Sequence, residues 1–205
     1  DGTIFEMEPG DVFEVPPGHD AEVLDDEPLV QLEWSGVRTL VGGRGSILTT
    51  LLFTDLVEST AAATGVGDVA WREVLSNHFG SIRTELDRFG GREVNTTGDG
   101  ILALFDAPAP ALRAARAIRD AANGQGLHIR AGVHVGEVQM VGDNVQGLAV
   151  HEAARVMAAA GADEILTSET TRALAATAGL TFEDRGTHRL KGFPDERRLF
   201  ALVGD

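Results

Sequence analysis

The stretch Ile47–Thr60, ILTTLLFTDLVEST, decides the fold of this chain. An unbroken run of β-branched, leucine and phenylalanine side chains leads into Asp55, and a polar turn with Glu58, Ser59 and Thr60 follows. A run of this length that ends in an acid and a helix-start pattern predicts a buried strand followed by a helix. Asp55 then lies at the C-terminal edge of the strand, where open α/β folds bind ligands. A second interpretation is equally open, in which Asp55 only caps the next helix.

The sequence downstream of this stretch predicts an α+β domain. Apolar residues recur at helical spacing over 70–89, which predicts a helix there. Further helices are predicted over the alanine-rich segment 108–122 and over 147–160 and 168–177. The predicted strands are 47–56, 92–97, 101–105, 127–135, a continuation over 137–141 beyond a turn at Gly136, 164–167, 181–190 and 197–203. The order β-α-β-β-α-β, followed by further elements, is the ferredoxin-like arrangement with extra C-terminal α/β elements. We expect its helices to lie on one side of a mostly antiparallel sheet.

The residues before Ile47 differ in composition from the rest. Residues 1–35 contain short strand-like segments between proline and glycine turns, and residues 36–46 have the glycine-rich composition of a flexible linker. We therefore expect a β-rich fragment, a linker and a main domain over 47–205. A fragment of about 35 residues buries too little surface to fold alone, so it must pack on something else.

The segment PGDVFEVPPGHD, residues 9–20, resembles the second conserved motif of cupin barrels. The matching residues are Gly10, Pro16 and Gly18. The metal-binding histidine of that motif would fall at Ala21, but the chain offers His19 instead, and the first cupin motif is absent. The resemblance implies the trailing end of a cupin-like β-domain without a metal, in which His19 is an ordinary surface residue. A small-ligand site of the cupin kind is the weaker alternative.

Composition and charge exclude several classes of function. The net charge is −15, so no basic stripe can neutralise the phosphates of a nucleic acid or an anionic membrane. No apolar run approaches the ~18–20 residues of a membrane span, and we expect neither membrane insertion nor a signal peptide. The absence of cysteine excludes disulfides and thiolate metal sites and fits a reducing, cytoplasmic location. Because the chain begins with Asp1 rather than methionine, we expect an excised piece of a longer protein.

A second acid is predicted to lie beside Asp55. The sequence Thr97-Gly98-Asp99-Gly100 separates two short strands and has the composition of a hairpin turn. The first strand and this hairpin are neighbours in a ferredoxin-like sheet, so the two carboxylates can meet at one edge. Paired carboxylates suit Mg²⁺ or Mn²⁺, which take their other ligands from substrate and water. Asp99 alone is equally well explained as an ordinary turn residue.

Five segments of the chain carry further motifs. They are FTDLVEST (53–60), NTTGDGILALF (95–105), RAGVHVGEV (130–138), GLAVHEAARV (147–156) and HRLKGFP (188–194). In this order they resemble the class III nucleotidyl cyclases, the family of the adenylate and guanylate cyclase catalytic domain. The likeness covers roughly residues 46–203. It implies an enzyme that cyclises a nucleoside triphosphate to a 3′,5′-cyclic nucleotide and releases pyrophosphate.

The resemblance implies metal and phosphate ligands in this chain. Asp55 and Asp99 match the two metal-binding aspartates, and the carbonyl of Leu56 is expected to help hold two Mg²⁺ or Mn²⁺ ions. Backbone N–H groups of the turn after the first strand would face the triphosphate at a helix N-terminus. The residues of this turn are Val57, Glu58, Ser59 and Thr60. Arg155 matches the arginine that stabilises the transferring phosphate, and Lys191 matches the lysine that contacts the terminal phosphates.

In this family the metals come from one subunit, and the arginine and the lysine come from the other. The resemblance therefore implies a homodimer with two sites across its interface. The expected partners are a nucleoside triphosphate and a second copy of the chain, with no nucleic acid.

Two residues near the expected phosphates depart from the family pattern. His151 stands where the family has an asparagine that orients the ribose, four residues before Arg155 on the same helical face. Its imidazole can reach a ribose or phosphate oxygen, or it marks a site of reduced activity. Glu58 replaces a common glycine, so we expect its carboxylate to point away from the nucleotide. A non-catalytic nucleotide-binding or dimerisation module that relays a signal is therefore the alternative function.

The residues expected to read the base also depart from the family. Asn95 stands where adenylate cyclases have a lysine that reads adenine, and Asn144, beside Asp143, stands at the position of its acidic or threonine partner. An asparagine amide both donates and accepts hydrogen bonds, so it can pair with either purine. We favour ATP because the glutamate and cysteine pair that reads guanine is absent too.

Overall fold

The computed structural model describes residues 46–59, 64–65, 67–96 and 98–204. The predicted cupin-like fragment, the linker up to residue 45 and Thr60 lie outside the described residues. The elements within them are, in chain order, β1 (Ser46–Leu56), α1 (Asp68–Phe89), β2 (Arg92–Thr96), β3 (Ile101–Phe105), α2 (Pro108–Gly124), β4 (Ile129–Val141), β5 (Asn144–Gln146), α3 (Leu148–Ala158), β6 (Ile165–Ser168), α4 (Glu169–Leu174), β7 (Thr181–His188) and β8 (Arg197–Val203).

An eight-stranded, mostly antiparallel sheet forms the centre of the domain. Its strands follow the order β2-β3-β1-β4-β6-β8-β7, and β5 pairs with the end of β4. The neighbouring strands are antiparallel except for β4 and β6, which are parallel. The predicted α+β class, a ferredoxin-like βαββαβ core with further C-terminal elements, is therefore confirmed. β1 lies between β3 and β4, so Asp55 is near the end of a central strand.

Helices cover both faces of the sheet, so the expectation that they lie on one side is wrong. Leu52 and Leu56 of β1 pack into the core that α1 and α2 form on one face. The alternate residues Leu51 and Phe53 pack on the other face against Ala153 and its neighbours on α3. A strand that is buried on both faces has an unbroken apolar sequence rather than an alternating one. The continuous run in β1 was therefore itself the sign of a sheet covered on both faces.

β4 runs without interruption through Gly136, where the sequence predicted a turn. The glycine serves close packing instead, because a Cβ at Gly136 would lie 2.4 Å from the Cβ of Ala149 on α3. Gly132, four residues earlier, has the same role, since its Cβ would lie 2.3 Å from the backbone nitrogen of Met157. These two glycines let α3 lie directly on the strand, which fixes the helix that carries His151 and Arg155.

α1 ends where the glycine pair predicted its end. Gly90 has a φ of 71°, the left-handed conformation that glycine adopts without steric cost. Its N–H donates to the carbonyl groups of the last helical turn. None of the helices in the described ranges, α1 included, is long and apolar enough to cross a membrane.

Candidate active site

The two predicted metal-binding aspartates lie beside each other at the end of β1. β3 pairs with β1 up to Thr54 and Ile101, which places the β2–β3 hairpin against the last residues of β1. Gly100 permits this approach, because a Cβ there would lie 1.8 Å from the carbonyl oxygen of Thr54. Burial is the main cause that raises the pKa of Asp55, and a hydrogen bond and the negative charge of Asp99 raise it further. The structure thus brings the two acids together.

A third charged residue of this site, Arg130, was not singled out from the sequence. It faces Asp55 in the register of β1 and β4. Its Nε donates to Oδ2 of Asp55 at 3.0 Å, and its Nη2 donates to the same oxygen. Burial raises the pKa of Asp55, and the guanidinium of Arg130 opposes that shift. Its place at the start of the segment RAGVHVGEV was the available signal, but a motif by itself gives no strand register.

The donor set at this edge of the sheet fits a hard divalent cation. The charge of Asp99 disfavours the ionised form of Asp55, and a bound cation would favour the ionised form of both carboxylates. Mg²⁺ is commonly held by one or two carboxylates together with phosphate oxygens and water. No group of three or more acidic, histidine or cysteine ligands occurs among the residues that the structure describes. The remaining ligands must then come from backbone carbonyls such as that of Leu56, from substrate and from water.

The turn after β1 presents fewer free amides than the sequence suggested. The N–H of Val57 donates to the carbonyl of His128 at 2.8 Å, because β1 and β4 continue to pair by one residue beyond Leu56. The expectation that this N–H faces the triphosphate is therefore wrong. Glu58 is exposed and has a φ of 58°, a conformation that glycine adopts more easily, which accounts for the family's glycine here. Ser59 is half-buried at the end of the first described range.

The residues expected to contact the phosphates and the ribose lie in a different part of the domain. His151 and Arg155 lie one helical turn apart on α3, and Lys191 lies in the loop between β7 and β8. All three are exposed. Within the described residues, none of their side chains has a hydrogen bond or an ion pair, so none is tied to Asp55 or Asp99 of the same subunit. These cationic and imidazole groups are available to a ligand or a second subunit.

The residues expected to read the base lie near the β4–β5 hairpin. Asn95 is exposed on β2, and Asn144 is the first residue of β5. Arg92 of β2 donates to the carbonyl of Asp143 at 3.4 Å, which brings the strand of Asn95 next to this hairpin. Oδ1 of Asn144 accepts the N–H of Val145 at 2.8 Å, which orients the side-chain amide of Asn144.

Residues 48–204 match the model of the family described as the adenylate and guanylate cyclase catalytic domain. The chain belongs to this family. It is thus a nucleotide cyclase domain, of the lyase class whose members form cyclic nucleotides and generally use divalent metal ions. The match begins beyond the predicted cupin-like fragment and gives that fragment no support. No protein of curated function matches the sequence.

Solved structures of cyclases share the fold of this cyclase domain. The adenylyl cyclase CyaB from P. aeruginosa is 20% identical, with a TM-score of 0.73, over 78% of this chain and 96% of that one. The adenylate/guanylate cyclase/hydrolase from Silicibacter pomeroyi is 25% identical, with a TM-score of 0.68, over 78% and 98%. The guanylate cyclase domain of RhGC from Catenaria anguillulae, solved in complex with GTP, is 20% identical, with a TM-score of 0.69, over 78% and 96%.

Proposed function

We propose that this domain cyclises a nucleoside triphosphate, with ATP favoured, to a 3′,5′-cyclic nucleotide and pyrophosphate at sites shared across a homodimer. The observation that carries the proposal is the placement of Asp55 and Asp99 side by side at the end of β1. Such a pair is costly without a counter-charge, and its position at a strand end beside a turn suits a metal-bound triphosphate.

Asp55, Asp99 and the carbonyl of Leu56 would hold two Mg²⁺ or Mn²⁺ ions in this proposal. The bound ions would activate the ribose 3′-hydroxyl and stabilise negative charge on the phosphates. The chain's own contribution is positioning, because the strand end and the hairpin fix both carboxylates before substrate arrives. Arg130 lies against Asp55, and the fork of its guanidinium suits phosphate oxygens as well as a carboxylate.

The partner subunit is proposed to supply the groups that act on the phosphates. Arg155 would stabilise charge on the transferring phosphate, and Lys191 would contact the terminal phosphates. Their exposure, and their lack of partners among the described residues, support this role across an interface. His151 lies one turn before Arg155 on the same face, where its imidazole can donate to a ribose or phosphate oxygen.

Base selection is proposed to rest on two amides. Asn95 can donate and accept, and the NH₂ group of Asn144 can donate while its carbonyl oxygen already accepts one hydrogen bond from Val145. A donor at this place suits the N1 acceptor of adenine and also O6 of guanine. ATP is favoured because the glutamate and cysteine pair of guanylate cyclases is absent.

A second candidate function is a non-catalytic module that binds a metal–triphosphate and relays a signal. The observation that favours it is the departure from the family at His151 and Asn95, both of which face solvent where substrate is expected. We also propose that the chain divides into a β-rich fragment (1–35), a linker (36–46) and a main domain (47–205), and that the domain is cytoplasmic.

The test is product formation from ATP and, separately, from GTP, each with Mn²⁺ or Mg²⁺. Asp55→Asn serves as the blank, because the amide keeps the size of the side chain and removes its charge. Cyclic AMP with an equal amount of pyrophosphate, lost in the variant, is the expected result. Nucleotide binding without pyrophosphate release from either triphosphate would instead establish the non-catalytic module.

A further inference from the structure

An ion pair joins the helix that carries Arg155 to the strand that follows the Lys191 loop. Nε of Arg197, the first residue of β8, donates to Oε1 of Glu152 on α3 at 2.8 Å. The side chains are 31% and 15% exposed, so solvent screens this pair less than an ordinary surface pair. Glu152 lies between His151 and Arg155 in the helix, although neither of those residues contacts it through an ion pair.

Buried polar groups lie behind the carboxylate of Glu152. Its Oε2 lies 4.0 Å from Nε2 of His134, and Nδ1 of His134 is 2.9 Å from the hydroxyl oxygen of Ser168. That hydroxyl lies 2.8 Å from the hydroxyl oxygen of Thr171, which accepts the N–H of Val135 at 2.9 Å. The hydrogen bonds thus connect His134 of β4 to β6 and α4 and fix its ring behind Glu152, whose carboxylate accepts its one hydrogen bond among the described residues from Arg197.

The loop between β7 and β8 is held at both of its ends. Leu190 is 4% exposed and packs in one cluster with Val156 and Ala160 at the end of α3. The N–H of Phe193 donates to the carbonyl of Leu190 at 3.1 Å, which closes a turn around Lys191. The guanidinium of Arg197 lies 5.7 Å from the centre of the Phe193 ring, within the range of a cation–π contact.

We infer that Arg197 and Glu152 are positioning residues, which fix the Lys191 loop against α3 so that Lys191 and Arg155 face a triphosphate as one rigid unit. The inference rests on the proposed function and extends it to residues that touch neither substrate nor metal. Leu190 secures the first end of the loop by apolar packing, and the ion pair secures the second. Without the pair, the loop keeps its apolar anchor but loses the contact that orients the turn of Phe193.

The first experiment tests the restraint itself in the protein without nucleotide. Hydrogen exchange of the amides between residues 190 and 197 is compared in the wild type, Glu152→Gln and Arg197→Gln. The matched control is Glu93→Gln, which removes the 2.8 Å ion pair of Arg83 with Glu93 on β2, at the opposite edge of the sheet. Exchange in the loop should rise about tenfold in the first two variants and stay unchanged in the control. Equal exchange in all four proteins would overturn the inference whatever the domain catalyses.

The second experiment tests the consequence for substrate. The dissociation constant of Mn²⁺ with α,β-methylene-ATP, measured by calorimetry, should rise about tenfold in Glu152→Gln and in Arg197→Gln. The double variant should be no weaker than either single one, because each removes the same restraint. KM for the triphosphate should rise with this constant while kcat falls less, and Arg197→Lys should recover part of the loss.

The outcomes separate this inference from the proposed function. A wild type that binds the analogue but forms no cyclic product would refute the proposed catalysis, and the binding comparison would still decide the inference. Variants that melt earlier than the wild type, yet bind the analogue equally well, would show that the pair only stabilises the fold and would overturn the inference. A wild type that binds no triphosphate would overturn both.

Discussion

Asp55 and Arg130 face each other across β1 and β4, and the guanidinium donates two hydrogen bonds to a single carboxylate oxygen. Burial nevertheless raises the pKa of Asp55, and Asp99 adds to the rise against the opposing effect of Arg130. The positive charge of Arg130 is thus insufficient to compensate for the burial of Asp55 and for its repulsion from Asp99. The site is electrostatically prepared for a further positive charge.

Replacing Arg130 should change metal and nucleotide binding in opposite directions. Arg130→Gln removes a positive charge beside Asp55, so the affinity for free Mn²⁺ should rise about tenfold. The affinity for a metal–triphosphate should fall, because the variant loses a fork of donors that suits phosphate. Calorimetric titrations at constant pH and ionic strength measure both. Arg198→Gln, which removes a similar ion pair with Asp184, should change neither affinity. Equal Mn²⁺ affinity in both variants would contradict the idea that Arg130 and the metal ion compete for Asp55.

The order and class of the elements could be predicted from sequence because their signals are local. The apolar run of β1 predicted a buried strand, and the glycine pair after α1 predicted its end. The neighbouring positions of Asp55 and the Asp99 hairpin followed from the ferredoxin-like order, since that order fixes which strands pair.

What sequence could not give depends on contacts between distant elements. The partnership of Arg130 with Asp55 requires the register of β1 against β4, which neither strand encodes alone. A glycine at position 136 is equally compatible with a turn and with the close approach of a helix. Only the packing of Ala149 against Gly136 distinguishes the two. The hydrogen bond of Val57 to His128 likewise depends on how far that strand pairing continues.

A site shared between subunits should be restored by mixing two inactive variants. Asp55→Asn removes a metal ligand, and Arg155→Ala removes the group proposed to act from the other subunit. Equal amounts, mixed and allowed to exchange subunits, should recover about a quarter of wild-type activity, since half of the dimers are mixed and each has one intact site. Each variant alone should stay inactive. If the mixture is as inactive as its components, the shared-site arrangement is refuted.

His78 should cost the domain stability rather than support it. The side chain is 1% exposed, and its Nε2 has no hydrogen-bond partner. Burial lowers its pKa from 6.5, although the charge of Asp99 opposes this shift. His78→Leu should therefore raise the free energy of unfolding at pH 7 by about 1 kcal/mol, because it removes an unsatisfied buried polar atom.

The pH dependence of stability gives a second readout for His78. Below pH 6.5 the unfolded chain binds a proton at His78 that the folded chain resists, so the free energy of unfolding falls as the pH drops through that value. The variant should lose this part of the decline, while the part due to His134, whose pKa burial also lowers, should persist. Urea titrations at pH 7.5 and pH 5.5 measure both parts. If the free energies of unfolding of the wild type and the variant changed equally with pH, His78 would not be the source of this pH dependence.

The amide of Asn95 should govern the choice of purine. The Watson–Crick edge of guanine offers N1–H and NH₂ donors, whereas adenine offers one NH₂ donor and the N1 acceptor. Asn95→Asp leaves only acceptors, so the ratio of kcat/KM for GTP over ATP should rise about tenfold. Steady-state rates with both triphosphates at one Mn²⁺ concentration give this ratio. Gln146→Glu, on the neighbouring β4–β5 hairpin, adds the same negative charge and is the control for a change of charge alone.

The absence of a side chain at Gly100 should be essential to the acid pair, although Gly100 itself holds no charge. In Gly100→Ala, the added Cβ would lie 1.8 Å from the carbonyl oxygen of Thr54 and 3.0 Å from the Cα of Asp55. The hairpin must then move away from β1, which should lower stability by about 3 kcal/mol and separate Asp99 from Asp55.

The binding of Mn²⁺ distinguishes this separation from a general loss of stability. Gly100→Ala should weaken Mn²⁺ binding at a temperature where the variant is still fully folded. Gly80→Ala is the control, because Gly80 lies on α1 with open space around it, and alanine there should stabilise the helix by about 1 kcal/mol. If Gly100→Ala bound Mn²⁺ as tightly as Gly80→Ala, the two carboxylates would not act together, and Asp99 would be a turn residue only.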